Sequence, residues 1–191
     1  MAKKVAEAVK VVPIQIKRLT LSIEGDSPLI SHAWSDRAIK AMEDKQAKTA
    51  KKGREARNPK QDYEDSLYHH PDGGFGFPAV AFKNSFVSAC RFLEDAKMTE
   101  SRGSVHIVGD MIRLEGKPNM RQDMVRVGMG SADIRYRGEF KKWKATLDIR
   151  YNSTSISPEQ IVNQFNNAGF GVGVGDWRPE KNGSFGMFHV V

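Results

Sequence analysis

The residues best suited to chemistry lie in GFGVGVGDWRPEK. Gly171, Gly173 and Gly175 alternate with Phe170, Val172 and Val174, so every second side chain is missing and the amide N–H groups are open to phosphate oxygens. Trp177, Arg178 and Lys181 follow at once, offering an indole plane for stacking on a base and two cations for a phosphate backbone. A flexible turn between a helix and a strand is the other reading of the same glycines. The usual nucleotide fingerprints are excluded. The run follows a helical segment where a dinucleotide motif follows a strand, its third glycine is not at the required offset, and no Gly-Lys-Ser/Thr ending is present.

A second set of candidates is cationic and scattered. Arg113, Arg121, Arg126, Arg135 and Arg137 are interleaved with Met120, Met124 and Tyr136, and arginine can both pair with phosphate and stack on bases. A solvated outer face of a β segment is the plainer reading. Lys83 and Arg91 fall off the apolar face of a helical stretch and point to a ligand or to water. Lys51, Lys52 and Arg54 belong to a stretch with no large hydrophobic residue, EDKQAKTAKKGREARNPKQD, which reads as a solvated basic loop or as a hand for phosphates. The balance of 30 Lys+Arg against 23 Asp+Glu, a net +7, tilts the chain toward polyanionic partners.

Other chemistries find less support. His32 is the one histidine placed for general acid–base work on RNA, although a packed or capping histidine beside Trp34 is the ordinary alternative. His69 and His70 sit in a turn with no Cys or third His at ligand spacing, so no metal site is expected, and no cofactor motif is present. The single cysteine, Cys90, lies on an apolar helix face, which excludes an internal disulfide framework and a Cys-His nucleophile. No window approaches the length of a membrane span, and no signal peptide is evident, so a soluble, cytoplasmic protein is expected.

These residues need elements to hold them. Ser157 is an N-cap, Pro158 suits the first helical position and Gln160 completes a capping box; Ile161, Phe165 and Ala168 then share one face, with Gly169 as the expected stop. Trp143, Ala145, Leu147, Ile149 and Tyr151 alternate with polar residues and predict a half-buried strand. Ile14, Ile16, Leu19, Leu21 and Ile23 predict another, with a bulge near Lys17. Ser35 caps a helix starting at Asp36, and Phe82, Phe86, Cys90 and Leu93 mark a further helix. Phe185 to Val191 reads as a closing strand buried on both faces. The order of elements supports an α+β layer with helices covering one face of an antiparallel sheet. One domain is expected over residues 13–191, with insertions at about 44–62 (a basic loop) and 97–140 (a β excursion). Residues 1–12 form a basic arm, flexible or a short helix.

Three stretches together resemble the RAMP superfamily, the modified ferredoxin-like proteins typified by backbone subunits of CRISPR effector complexes. LTLSIEGDSPLISHAW is similar to its opening strand and Ser-Pro-Leu turn, GFPAVAFKNSFVSACRFL to its second landmark, and GFGVGVGDWRPEKNGSFGMFHV to its glycine-rich loop and closing strand. The chain also resembles a protein type common in tailed-phage genomes. The resemblance implies a ferredoxin-like (RRM-like) sheet, a thumb-like excursion in 97–140 and a variable insertion in 44–62. It further implies a non-catalytic subunit that binds single-stranded RNA or DNA without reading its sequence and assembles as a homo-oligomer along the strand. A metal-independent RAMP-type ribonuclease using His32, and a phage assembly or host-interaction protein, are the alternatives.

Overall fold

The computed structural model describes residues 13–48, 57–128 and 130–191. The predicted arm, residues 1–12, and the cations Lys51, Lys52 and Arg54 lie outside the described residues.

In chain order the elements are β1 (Ile16–Gly25), β2 (Leu29–Ser31), α1 (Asp36–Gln46), α2 (Pro59–Asp65), β3 (Phe75–Pro78) and α3 (Ala79–Ser88), which ends in a 3-10 turn, Ala89–Phe92. There follow α4 (Met98–Ser104), β4 (Val105–Ile107), β5 (Met111–Glu115), β6 (Pro118–Val127), β7 (Ser131–Phe140), β8 (Lys144–Asn152), α5 (Pro158–Gly171) and β9 (Phe188–Val190). The main sheet runs β3-β5-β8-β1-β9, with β4 beside β5 along the same edge of β8, and all its pairings are antiparallel. With β4 and β5 taken as one interrupted strand, the sequence β1, α3, β4/β5, β8, α5, β9 is a βαββαβ unit with spatial order 4-1-3-2. That is the ferredoxin-like α+β topology.

The central pair is laid down by alternation. Leu19, Leu21 and Ile23 face Ala145, Leu147, Ile149 and Tyr151 on the side covered by α3 and α5, where Phe82, Phe86 and Phe165 complete the core. Each large side chain buried there contributes roughly 1.5–3 kcal/mol. The expected bulge near Lys17 is absent: pairing runs unbroken from Ile16↔Asn152 to Glu24↔Lys144. The phase of the strand therefore puts Ile16 on the opposite face, 52% exposed. α5 opens with the expected capping box at Ser157 and Gln160. It runs through Gly169 to Gly171, two residues past the expected stop, and the glycine at 169 serves a crossing of β9 so close that no Cβ fits there. The closing strand is also shorter than expected, with His189 on its exposed face.

Part of the 97–140 stretch belongs to the main layer. α4, β4 and β5 complete the ferredoxin-like unit, and the excursion narrows to the β6/β7 hairpin, which forms a second sheet with β2. The 44–62 stretch likewise yields structure at both ends, since α1 reaches Gln46 and α2 starts at Pro59 behind an Asn58 cap.

Lys83 is the first candidate site residue that the fold reassigns. Its ammonium donates to the carbonyls of Ser101 (3.2 Å), Arg102 (2.9 Å) and Val105, tying α3 to the end of α4. Burial, with repulsion from Arg102, lowers its pKa from the ordinary 10.5 to about 8. Lys83→Met should cost about 1–3 kcal/mol in urea unfolding, because three acceptors lose their donor. The unfolded chain binds the extra proton between pH 8 and 10.5, so the wild type gains stability relative to the variant as pH rises through that window.

Candidate nucleic-acid interface

The glycine loop and the hairpin meet at β2. Gly175 has φ +82° and lies so close to the Ile30 carbonyl that a Cβ would sit 2.6 Å from its oxygen. The next amide, of Asp176, donates to that same oxygen at 3.1 Å. On the other side of β2, Ser31 and Ala33 bond the carbonyl of Ser66, and Ser66 Oγ accepts from the amide of Gly138 in β7. His32 leaves β2 between these two anchors. Its Nδ1 is 3.0 Å from Asp176 Oδ2, and Tyr68 donates to its carbonyl.

Behind His32 runs a chain of charges. Arg137, only 8% exposed, reaches Asp176 Oδ2 at 3.2 Å and Asp123 Oδ2 at 3.5 Å. Asp123 Oδ1 accepts from Arg121 Nε at 2.8 Å, and Arg121 also pairs with Glu139 at 2.8 Å and lies 4.8 Å from the centroid of the Phe185 ring. Burial pushes the Asp176 carboxyl up, but the His32 hydrogen bond and the Arg137 charge outweigh it and hold the pKa below the ordinary 3.8. Because that carboxylate can only accept, His32 carries a proton on Nδ1. Nε2 is then left as an acceptor when the ring is neutral and a donor when it is charged.

Two clefts join at His32. One, of about 300 Å³, is lined by Tyr68, Asn84, Gly173, Gly175 and Arg178. The other, of about 390 Å³, is lined by Trp34, Arg37, Arg57, Arg135 and Tyr136. Trp34, at the end of the second, is 69% exposed. The guanidiniums are set by the protein's own carboxylates: Arg178 and Arg91 on Glu180, Arg57 and Arg135 on Asp133, Arg37 on Asp62. Such pairing fixes their planes and leaves the remaining N–H donors to a ligand.

Of the residues singled out in the sequence, Gly173, Gly175, Arg178 and Arg135 line this groove. Arg121 and Arg137 stand behind it as structural ions, and Arg91 reaches it only through Glu180. The glycine backbone is not open in the expected way. Gly171 sits under the Phe92 ring, Gly173 under Pro179 and Arg178, and the amides of Val172, Gly173, Val174 and Asp176 bond to carbonyls of this chain. Trp177, half-exposed and left-handed at φ +58°, lines neither cleft, and Lys181 is exposed in the turn beyond it. Arg126 is exposed near the hairpin tip, and Arg113 projects from the outer face of β5. Sequence reasoning missed Asp176, Arg57, Arg37 and Asn84. Only the last three carried any signal, Arg37 and Asn84 as polar residues beside predicted helix starts and Arg57 as a member of the basic 44–62 stretch. Among the described residues, no group of His, Cys, Asp and Glu is placed to hold a metal ion, and no helix is long and apolar enough to cross a membrane.

Fold and groove together define a ferredoxin-like α+β protein with a hairpin excursion over a glycine-loop cleft. No family model matches the chain, and no curated protein matches it. Among solved structures it is similar to the crystal structure of Cmr6 from Pyrococcus furiosus, with a TM-score of 0.49 and 11% identity, covering 94% of this chain and 100% of that one. It is also similar to a chain in the cryo-EM structure of the Type III-B Cmr-beta bound to cognate target RNA, with a TM-score of 0.49 and 9% identity, covering 90% of this chain and 59% of that one. The fold assignment rests on the strand order itself.

Proposed function

We propose that this protein binds single-stranded nucleic acid, RNA or DNA, without reading its sequence, as a RAMP-type, phage-encoded subunit that assembles in repeated copies along the strand. The observation that carries the reading is the pair of clefts that share His32, one lined by Arg178 and the other by Arg57, Arg135 and the exposed indole of Trp34. Aromatic planes take bases of any identity, and fixed guanidiniums take phosphates. The three family-like stretches support it, since Ile30 and His32 of the first, Asn84 of the second and Gly173 and Gly175 of the third all line this groove. The net +7 of the chain supplies long-range attraction.

The test is binding of labelled oligo-dT and oligo-U as salt is raised. Affinity should fall steeply with salt, and Trp34→Ala should cost about 1–3 kcal/mol per stacked base. The double substitution Arg135→Ala with Arg178→Ala should weaken unrelated sequences alike. Salt-independent binding, or none at low salt, would overturn the proposal.

The His32–Asp176 pair favours one second reading, a ribonuclease in which Nε2 acts on the 2′-hydroxyl. Cleavage of labelled RNA in EDTA, abolished by His32→Ala, would support it; intact RNA would remove it.

A further inference from the structure

The outer face of the main sheet pairs its charges in two opposite ways. At one end, cross-strand neighbours run Glu115, Lys144, Glu24, alternating in sign, with His189 beside Glu24, and Lys144 Nζ lies 2.8 Å from Glu24 Oε2. Toward the other end, the corresponding row is His106, Arg150, Arg18, drawn from β4, β8 and β1. All three are exposed, and no ion pair or hydrogen bond is made by any of their side chains among the described residues. The nearest carboxylate on that face, Asp148, stands one pair along the ladder and accepts from Thr20 Oγ1 at 2.9 Å.

Like charges set directly opposite one another destabilise a sheet, and the first row shows that this sheet uses complementary pairs elsewhere. Two facing arginines without an internal counterion, with a histidine beside them, are a surface shaped for an external one. We propose that His106, Arg150 and Arg18 form a second phosphate-binding site, one that takes the backbone of a polynucleotide on the outer face of the sheet.

Geometry favours a run of phosphates over a single anion. Adjacent strands lie about 4.8 Å apart, so the row extends over roughly 10 Å in a line. No aromatic side chain of β1, β4 or β8 faces outward here, because Tyr151 turns to the core, and the apolar neighbour on this face is the aliphatic Ile16 beside Arg18. Bases therefore have no stacking platform, and contact is limited to the sugar-phosphate backbone. Arg113 projects from the same face of β5 and extends the positive field. The site is separate from the groove through His32 and does not rest on it.

The test uses the full chain, inorganic polyphosphate and labelled oligo-U as probes, and the double substitution Arg18→Thr with Arg150→Thr, which keeps strand-favouring residues. Polyphosphate should bind the wild type and bind the double variant about tenfold more weakly. The slope of log affinity against log salt for oligo-U should fall by about 1.4, two phosphates at about 0.7 each. The thermal midpoint should hold or rise, because a repulsion has been removed. Unchanged affinity and slope would overturn the site, as would a falling midpoint with polyphosphate binding intact. Binding to anionic phospholipid vesicles but to neither probe would overturn the nucleic-acid assignment. In the groove variant Arg135→Ala with Arg178→Ala, adding Arg18→Thr and Arg150→Thr should still weaken polyphosphate binding about tenfold, whereas no further loss would place all phosphate binding in the groove, so failure of the sheet site and failure of the groove give different patterns.

Discussion

Gly169→Ala is expected to lose about 2–4 kcal/mol of stability, although alanine is the better helix former. An added Cβ would lie 1.7 Å from the carbonyl oxygen of Phe188, a backbone atom of β9, and 2.9 Å from that residue's ring. No side-chain rotation relieves such a contact. Either α5 or the closing strand must move, and both are fixed by Ala168 and Phe188 in the core. Helix propensity returns only about 1 kcal/mol against this cost. Gly103→Ala is the matched control. Gly103 is exposed in α4 with nothing within 4 Å of its virtual Cβ, so that variant should be neutral or gain about 1 kcal/mol. Urea denaturation of the two variants separates the cases: a Gly169→Ala midpoint equal to the wild type would mean that β9 is not held against α5 as described.

The same glycines show what was legible in the sequence and what was not. Local codes were readable. Ser157, Pro158 and Gln160 start α5, and the alternation from Trp143 to Tyr151 marks β8, because capping and alternation act over a few residues. The phase of β1 was not readable from β1 alone. Ile14 and Ile16 are as hydrophobic as Leu21, and only pairing with β8 decides which face each residue takes. The glycine run had the same limitation: missing side chains announce a close approach without saying to what. Here the approach is mostly to Phe188, Phe92, Pro179 and Ile30 of the chain itself. Cations were the least legible. Lys83, Arg137 and Arg135 look alike as sequence, yet they are a carbonyl clamp, a buried ion and a groove wall. Their partners, the carbonyl of Val105, Asp176 and Asp133, lie 22, 39 and 2 residues away. Only the last is near enough in sequence to be seen as a neighbour.

Arg137→Met is expected to have the larger effect, about 3–5 kcal/mol, because it removes the buried guanidinium shared by two carboxylates and leaves Asp123 with Arg121 and Asp176 with His32 alone. Arg137 is 8% exposed and Asp123 10%, so water replaces little of the lost interaction at that pair. Asp176, at 36%, is better solvated and should account for the smaller share. Lysine should not rescue the site, since one ammonium does not span both carboxylates as the planar guanidinium does. The acid limb gives the sign. With its pKa held below 3.8, Asp176 contributes stability that is present above that value and lost as pH falls through the lowered one. Without Arg137 that contribution shrinks, and protonation relieves the under-compensated charge. The gap between wild type and variant should therefore be widest near neutrality and narrow as the carboxyls protonate. Urea midpoints across this range decide the cause. A gap that stays constant into acid would assign the loss to packing of the side chain, and the charge chain behind His32 would no longer explain how the groove is held.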